Sequence, residues 1–350
     1  MATLREVADK AGVTMPVVSA YLRGSKTVRM SEDTRRRVAA ALDEVGYVPN
    51  LAARSLRTSR TNVIAVVVPK LDNPALAEML RGIYDAAQEF GYVVMLGDAA
   101  RLTSGSQMLE HLLAHGTVDG VIVRRSSSLD TRVLADMAER GLPVLFLDDE
   151  SLHDFTWLAL DDAAGIRLAT SHLIDLGHVQ IDFLGGLDPI PAAEFTRIRY
   201  EGYVAALKER GLAPRPPIMS GQAPEDGYEA FSTLVAPRVA HRRKDAPTAL
   251  VVNNVTTATG VLAAAYDAGI SVPGELSVVG YLDTAAASMA RPRLTTVRMP
   301  MYELGHRGVA ALSEIVKGEH VRSAVLADIA PTLIRRDSTG PPADHTAGQK

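Results

Sequence analysis

The sequence predicts an α + α/β protein: a small helical headpiece, then two doubly wound parallel-sheet lobes. Two observations carry this prediction. The stretch TLREVADKAGVTMPVVSAYLRG reads as helix, glycine turn, helix, a helix-turn-helix pattern whose second helix enters the DNA major groove. From Asn62 onward, continuous apolar runs alternate with amphipathic helical stretches. Strands apolar along their whole length are buried on both faces, so they belong to parallel sheets covered by helices.

The headpiece elements follow from their caps. Thr3 and Glu6 form a capping box for a helix that turns Leu4, Val7, Ala8 and Ala11 inward. Gly12 supplies the turn. Thr14 suits the cap of the second helix, and Pro16 lies in its first turn, where a missing N–H costs nothing. That helix is expected to bury Val18, Leu22 and Tyr21. Ser31 caps a third helix with Glu32 and Asp33 at its positive end, Val38, Ala41, Leu42 and Val45 inward, and Gly46 as its stop. Asn50–Arg57 then sets the apolar Leu56 between Arg54 and Arg57 at helical spacing.

Beyond the headpiece, NVIAVVVP, YVVMLG, GVIV and PVLFLD alternate with helices over 74–90, 107–115 and 129–139 as a first lobe. QIDFLGG, TALVV and LSVVGY alternate with helices over 162–176, 198–210, 224–234 and 256–268 as a second. Two such series imply a cleft between lobes. Segments 292–297 and 301–316 read as additions returning to the first lobe. The expected domains are a headpiece 1–49, a linker 50–61 and a core 62–337. Within the core, lobe 1 takes about 62–161 plus 291–322, and lobe 2 takes 162–290 plus 323–337. The Gly/Pro/polar end, 338–350, is expected to be a disordered tail.

Composition bounds the function. Of 350 residues 47% are apolar and 22% charged, as in a globular protein with sizeable cores. There is no cysteine, which excludes disulfides and thiolate metal sites. No apolar run approaches about eighteen residues, and the charged start MATLREVADK does not read as a signal peptide, so no membrane partner and a cytoplasmic location are expected. The net charge of −4 divides into +5 over residues 1–62 and −9 over the rest, a basic head on an acidic body.

Taken in order, TLREVADKAGVT, VSAYLRG, SEDTRRRVAAALDEVGYVPN, NLAARSLRT, YDAAQEFGY, HLIDLGHVQIDFLGG, RIRYEGYVAAL, VPGELSVVGY and RPRLTTVRMP resemble the lactose-repressor (LacI) family of bacterial transcriptional regulators. The resemblance spans residue 3 to about 337. It implies a periplasmic-binding-protein-like core, a hinge helix at Asn50–Arg57, a homodimer on a pseudo-palindromic double-stranded DNA operator, and a small-molecule effector between the lobes. No cofactor or metal is implied.

The resemblance also places residues. Base-reading positions fall on Met15, Pro16 and Ala20, with Ser19 and Arg23 beside them, and Thr3 and Thr14 at the helix starts. The hinge carries Asn50 as cap, Ala53 against the minor-groove floor, Leu56 as the wedge, and Arg54 and Arg57 near phosphates. Met15, Pro16 and Ala20 depart from the usual polar readers: Met15 and Pro16 can touch a thymine methyl but offer no side-chain hydrogen bonds. Effector positions fall on Arg199, Asn253 and Arg124, with Asp161 and Tyr228 as weaker members. Arg199 alternatively pairs with Glu201 on a helix surface, and Arg125 competes with Arg124 to point inward.

Leu282 replaces the family's ligand-binding aspartate, with Asp283 expected to point away, and Asn73-Pro74-Ala75-Leu76 replaces an aromatic platform. Arginine forks match carboxylate or phosphate, which suggests an anionic effector such as a sugar acid or sugar phosphate. A neutral sugar held by a drifted contact set is the equal alternative.

Other functions fare worse. VVVPKLDNP lacks the glycines of a dinucleotide site, and no GxSxG, HExxH or Walker pattern occurs, so no enzyme is expected. The nine histidines are scattered without metal-ligand spacing. A solute-binding or sensor protein using the same cleft without DNA regulation would need an export signal and no basic head.

Overall fold

The computed structural model describes residues 2–22, 29–47, 60–69, 71, 73–101, 106–114, 117–124, 131–148, 150, 154–186 and 194–343. It divides into two compact units, residues 1–61 and 62–350. In the headpiece, α1 (Leu4–Ala11), α2 (Met15–Leu22) and α3 (Glu32–Val45) form, with Thr3 capping α1 and Ser31 capping α3. Thr3 Oγ1 accepts from the Glu6 amide while the Glu6 carboxylate accepts from the Thr3 amide, both at 3.3 Å. Gly12 and Gly46 end α1 and α3 with φ near +60°, where a side chain would be strained.

The headpiece core is Val7, Ala8, Ala11, Val18, Val38 and Ala41, with Leu4, Tyr21, Leu42 and Val45 packed partly against it. Leu22, expected inside, is 37% exposed: it is the last residue of α2, one turn beyond Val18. The Arg37 guanidinium donates to the Ala11 carbonyl and pairs with Asp33, which ties α3 to the end of α1. Arg35 and Arg36 beside it are exposed.

The core holds two sheets. Lobe 1 has strand order β10-β5-β4-β3-β1-β2, all parallel: β1 (Val63–Val68), β2 (Val93–Asp98), β3 (Gly120–Arg124), β4 (Val144–Leu147), β5 (Thr156–Ala159) and β10 (Ala324–Val325). Lobe 2 has order β11-β9-β8-β7-β6: β6 (Ile181–Leu184), β7 (Ala249–Val252), β8 (Ser277–Tyr281) and β9 (Thr295–Arg298) run parallel, and β11 (Thr332–Ile334) is antiparallel to β9. β1, β3 and β4 are buried over nearly their whole length, as continuous apolar runs require. β2 is the terminal strand of its sheet, with Val93, Met95 and Leu96 exposed in spite of their chemistry.

The helices that matter below are α4 (Ala77–Phe90), α5 (Gln107–Leu113), α6 (Thr131–Glu139), α7 (Asp162–Asp175), α8 (Glu194–Glu209), α9 (Pro224–Ala230), α10 (Ala236–Ala240), α11 (Val255–Asp267), α12 (Ala285–Met289) and α13 (Met301–Val316). A single π-turn, Phe231–Val235, joins α9 to α10 just before Pro237, whose missing N–H interrupts a regular helical ladder.

Two boundaries differ from expectation. Residues 292–297 do not return to lobe 1: β9 pairs with β8 and β11 in the second sheet, and only α13 crosses back, packing on α4 and the lobe 1 strands. Residues 324–325 return to lobe 1 as β10, a strand too short for any periodicity to show. The chain thus passes between lobes after β5, after β9 and after β10.

The first part of the expected tail is also corrected, while residues 344–350 lie outside the described residues. Ser338 is fully buried, its hydroxyl donating to the Val278 carbonyl and accepting from the Thr295 amide, while its carbonyl accepts from the Val278 amide. Residues 338–343 therefore belong to lobe 2. A polar composition masked this, because the segment is held by hydrogen bonds and not by apolar burial.

Candidate functional site

On the headpiece, Thr3, Thr14, Met15 and Pro16 are exposed and Ser19 is half-buried. The Thr14 carbonyl accepts from the Val17 and Val18 amides, so Met15 and Pro16 occupy the first turn of α2. Ala20 is only 2% exposed, which withdraws its methyl from any base edge and corrects its place among the readers. Arg23, Asn50, Ala53, Arg54, Leu56 and Arg57 lie outside the described residues.

In the core, the C-terminal ends of the parallel strands converge, the usual place for ligands in open α/β sheets. Arg124 closes β3 and Asp148 follows β4; the Arg124 Nε and terminal nitrogen donate to Asp148 Oδ2 at 3.2 and 3.0 Å. Asp148 sits in the left-handed region (φ 56°), and its Oδ1 accepts from the Leu160 amide. Burial raises the Asp148 pKa in spite of Arg124.

Arg199 projects from α8 and is 5% exposed. Its Nε donates to Asp162 Oδ2 at 2.7 Å and another nitrogen to the Asn253 carbonyl at 3.1 Å. The guanidinium stacks 4.2 Å from the Tyr281 ring centroid and 4.9 Å from that of Phe195. The Tyr281 hydroxyl donates to Asp162 Oδ1 at 2.5 Å, so Asp162 is shared between the two. Burial opposes the Arg199 charge, but Asp162 and Tyr281 outweigh it and its pKa is raised. Burial, then Asp162, pushes the Tyr281 phenol well above its ordinary value.

Gly165 on α7 makes room for this stack: a Cβ there would lie 2.7 Å from Tyr281 Cε2 and 2.8 Å from Met299 Sδ. The Glu201 alternative for Arg199 is excluded, since the guanidinium is buried against Asp162, and Glu201 pairs with Arg197 on the helix surface. Asn253 is 1% exposed; its Nδ2 donates to Thr196 Oγ1, and its Oδ1 finds no hydrogen-bond partner among the described residues.

The weaker candidates separate from this group. Asp161 is the N-cap of α7, its Oδ1 accepting from the Ala164 amide, while Asp162 next to it faces Arg199. Asn73 caps the short turn Pro74–Leu76 through the Ala75 amide. Tyr228 is exposed and donates to Asp267 at the C-terminal end of α11, the end remote from Asn253, so it does not join the cluster. Leu282 (φ 67°, 7% exposed) lines a groove of 1130 Å³ whose apolar wall includes Ala75, Met299 and Met301.

Asp283 was expected to point away, but it lines the same groove as Leu282, where Thr296, Arg298 and Arg336 bind its carboxylate. Burial raises its pKa, but those hydrogen bonds prevail and hold it below the carboxylate norm. Sequence reasoning missed Asp148, Asp162, Phe195 and Tyr281. The Asp161-Asp162 pair carried a signal, because a helix N-cap needs only one of two adjacent carboxylates.

A helix-turn-helix head on a two-lobed core with a polar cluster at its strand ends defines a ligand-responsive DNA-binding protein. Residues 3–50 match the model for bacterial regulatory proteins of the lacI family, and residues 170–339 match a periplasmic binding protein-like domain. The chain is 30% identical to catabolite control protein A of Priestia megaterium, over 93% of this chain and 95% of that one. It is 31% identical to the HTH-type transcriptional repressor PurR of Erwinia tasmaniensis, over 99% of both.

Among solved structures, the lac repressor dimer bound to operator and the anti-inducer ONPF superposes with a TM-score of 0.78, at 28% identity, over 97% of this chain and 99% of that one. The CelR–cellobiose complex superposes at 0.67, with 26% identity, over 97% and 100%. The chain belongs to the LacI family of transcriptional regulators. It is a DNA-binding regulator with an effector-binding core, and not an enzyme. Among the described residues no helix is long and apolar enough to cross a membrane, and no His, Asp or Glu group could hold a metal.

Proposed function

We propose that this regulator is a dimeric operator repressor whose core binds a neutral polyhydroxylated molecule, a sugar or close relative. The observation that carries this reading is that the two arginines expected to meet the effector already hold carboxylates, Arg124 with Asp148 and Arg199 with Asp162. An anion would have to displace a buried acid from each fork. A sugar hydroxyl meets acceptors and donors side by side and needs no such exchange. This choice abandons the anionic expectation, which rested on the match of arginine forks to carboxylate or phosphate. The cellobiose bound by CelR supports it.

The DNA arm rests on the head residues Thr3, Thr14, Met15, Pro16, Ser19 and Arg23, and on the hinge Asn50–Arg57 with Leu56 as a minor-groove wedge. Dimerisation pairs two heads with the half-sites of a pseudo-palindrome. The apolar edge of β2 with Tyr84 and Phe90 on α4 supports a second copy as partner, since an exposed edge of this kind invites pairing. Effector binding alters lobe closure and thereby operator affinity.

A thermal-shift panel of neutral sugars, sugar acids and sugar phosphates tests the ligand class. A cleft ligand at about 100-fold its dissociation constant adds about 2.7 kcal/mol. Stabilisation by the acids or phosphates alone overturns the neutral reading. Operator titration at fixed salt, with and without each hit, tests the coupling.

A further inference from the structure

The second helix of the headpiece has no Asp, Glu, Asn, Gln, Lys, Arg or His in Met15–Leu22. On its first turn, Met15 is 46% exposed and Pro16 is exposed, while Ala20 one turn on is buried. The exposed side chains on that first turn are a thioether and a pyrrolidine ring, with the hydroxyl of Thr14 just before the helix and that of Ser19, half-buried, one turn on. Neither the thioether nor the ring donates a hydrogen bond to the N7, O6, N4, N6 or O4 groups that distinguish base pairs in the major groove. One major-groove feature is apolar: the methyl on C5 of a pyrimidine.

Met15 suits such a contact because its unbranched, polarisable side chain fills an irregular gap. Pro16 adds a rigid face, and its place in the first turn leaves no backbone donor wasted.

Resting on the operator-binding reading above, we propose that Met15 and Pro16 form a methyl clamp that reads the C5-methyl group of a pyrimidine in each half-site. Thymine carries that group, and so does 5-methylcytosine. Cytosine methylation at the clamped position then creates the recognised feature, and operator affinity responds to it.

The test uses the full chain. An operator is selected from random duplexes at fixed ionic strength, and each half-site thymine is replaced in turn by uracil, which removes only the methyl. Affinities are read by fluorescence anisotropy. At one or two positions uracil is expected to cost about four-fold per half-site, the worth of one buried methyl. At the same position 5-methylcytosine should bind more tightly than cytosine by a similar factor. Met15→Ala should bring the thymine-to-uracil ratio close to one while retaining salt-dependent DNA binding; Met15 is exposed, so the fold tolerates this change.

An enriched operator that accepts uracil everywhere without loss overturns the clamp alone. A ratio unchanged in both Met15→Ala and Pro16→Ala also overturns it. Failure of any sequence to enrich over random DNA overturns the operator reading and the clamp with it.

Discussion

At the level of single residues, Arg199 has most of its surroundings committed. It is buried, shares Asp162 with Tyr281 and stacks on two rings. Removing one member of a buried ion pair strands the other charge, which typically costs about 3–5 kcal/mol. Arg199→Ala is therefore expected to lower stability by about that much in urea unfolding and to abolish effector-dependent stabilisation. Arg199 was legible as a motif residue, but its partner was not: 37 positions separate Asp162 from it, and only the approach of α7 to α8 joins them.

His178 carries a second prediction. Its ring bonds Thr248, Ser277 and the Gly340 carbonyl, and burial lowers its pKa below 6.5. His172, bonded to Thr339 and near Arg335, Asp175 and His178, is lowered for the same first reason. The folded state favours the neutral rings, so their contribution is complete above about pH 6.5 and is lost as pH falls through the lowered folded values. Thermal unfolding from pH 7.5 to 5 should show a declining midpoint, and His178→Gln should flatten that decline.

At the level of elements, α4 and α13 meet backbone to backbone. A Cβ on Gly82 would lie 2.0 Å from the Tyr302 carbonyl oxygen, and one on Gly305 would lie 2.1 Å from that of Met79. Gly82→Ala must push the helices apart, and overpacking of this kind costs about 1–3 kcal/mol; differential scanning calorimetry would register it. Since α13 begins directly after the crossing from lobe 2, the same variant should also weaken the coupling between effector and operator.

Helices with strong caps were legible nearly to the residue, as Thr3, Ser31, Gly12 and Gly46 illustrate, because a cap is a local event. β9 and β10 were assigned to the wrong lobes because strand pairing is not local. Thr295–Arg298 and Ala324–Val325 carry nothing in their own sequence that names a partner sheet.

At the level of the whole molecule, the edge strand β2 and the face of α4 frame the proposed dimer. Val93 is 63% exposed, and Met95 and Leu96 lie beside it on the terminal strand. Val93→Lys places a charge on that edge, a device by which natural proteins block edge pairing. Sedimentation should shift from dimer toward monomer, and operator affinity should fall, because two half-sites then lose their covalently independent but paired heads. An unchanged dimer would move the interface elsewhere.

Residue order alone settled the class of this regulator, the basic head, the alternation of buried strands and helices, and the apolar first turn of α2. All of these depend on caps, periodicity and residue type, which act within a few positions along the chain. Tertiary structure alone decided that Arg124 and Arg199 are neutralised by Asp148 and Asp162, that Tyr228 stands outside the cluster, that Ala20 is buried, and that Ser338 closes the base of lobe 2. Each of those depends on groups brought together from distant positions, and the balance of charge and burial at such a meeting exists only once the chain has folded.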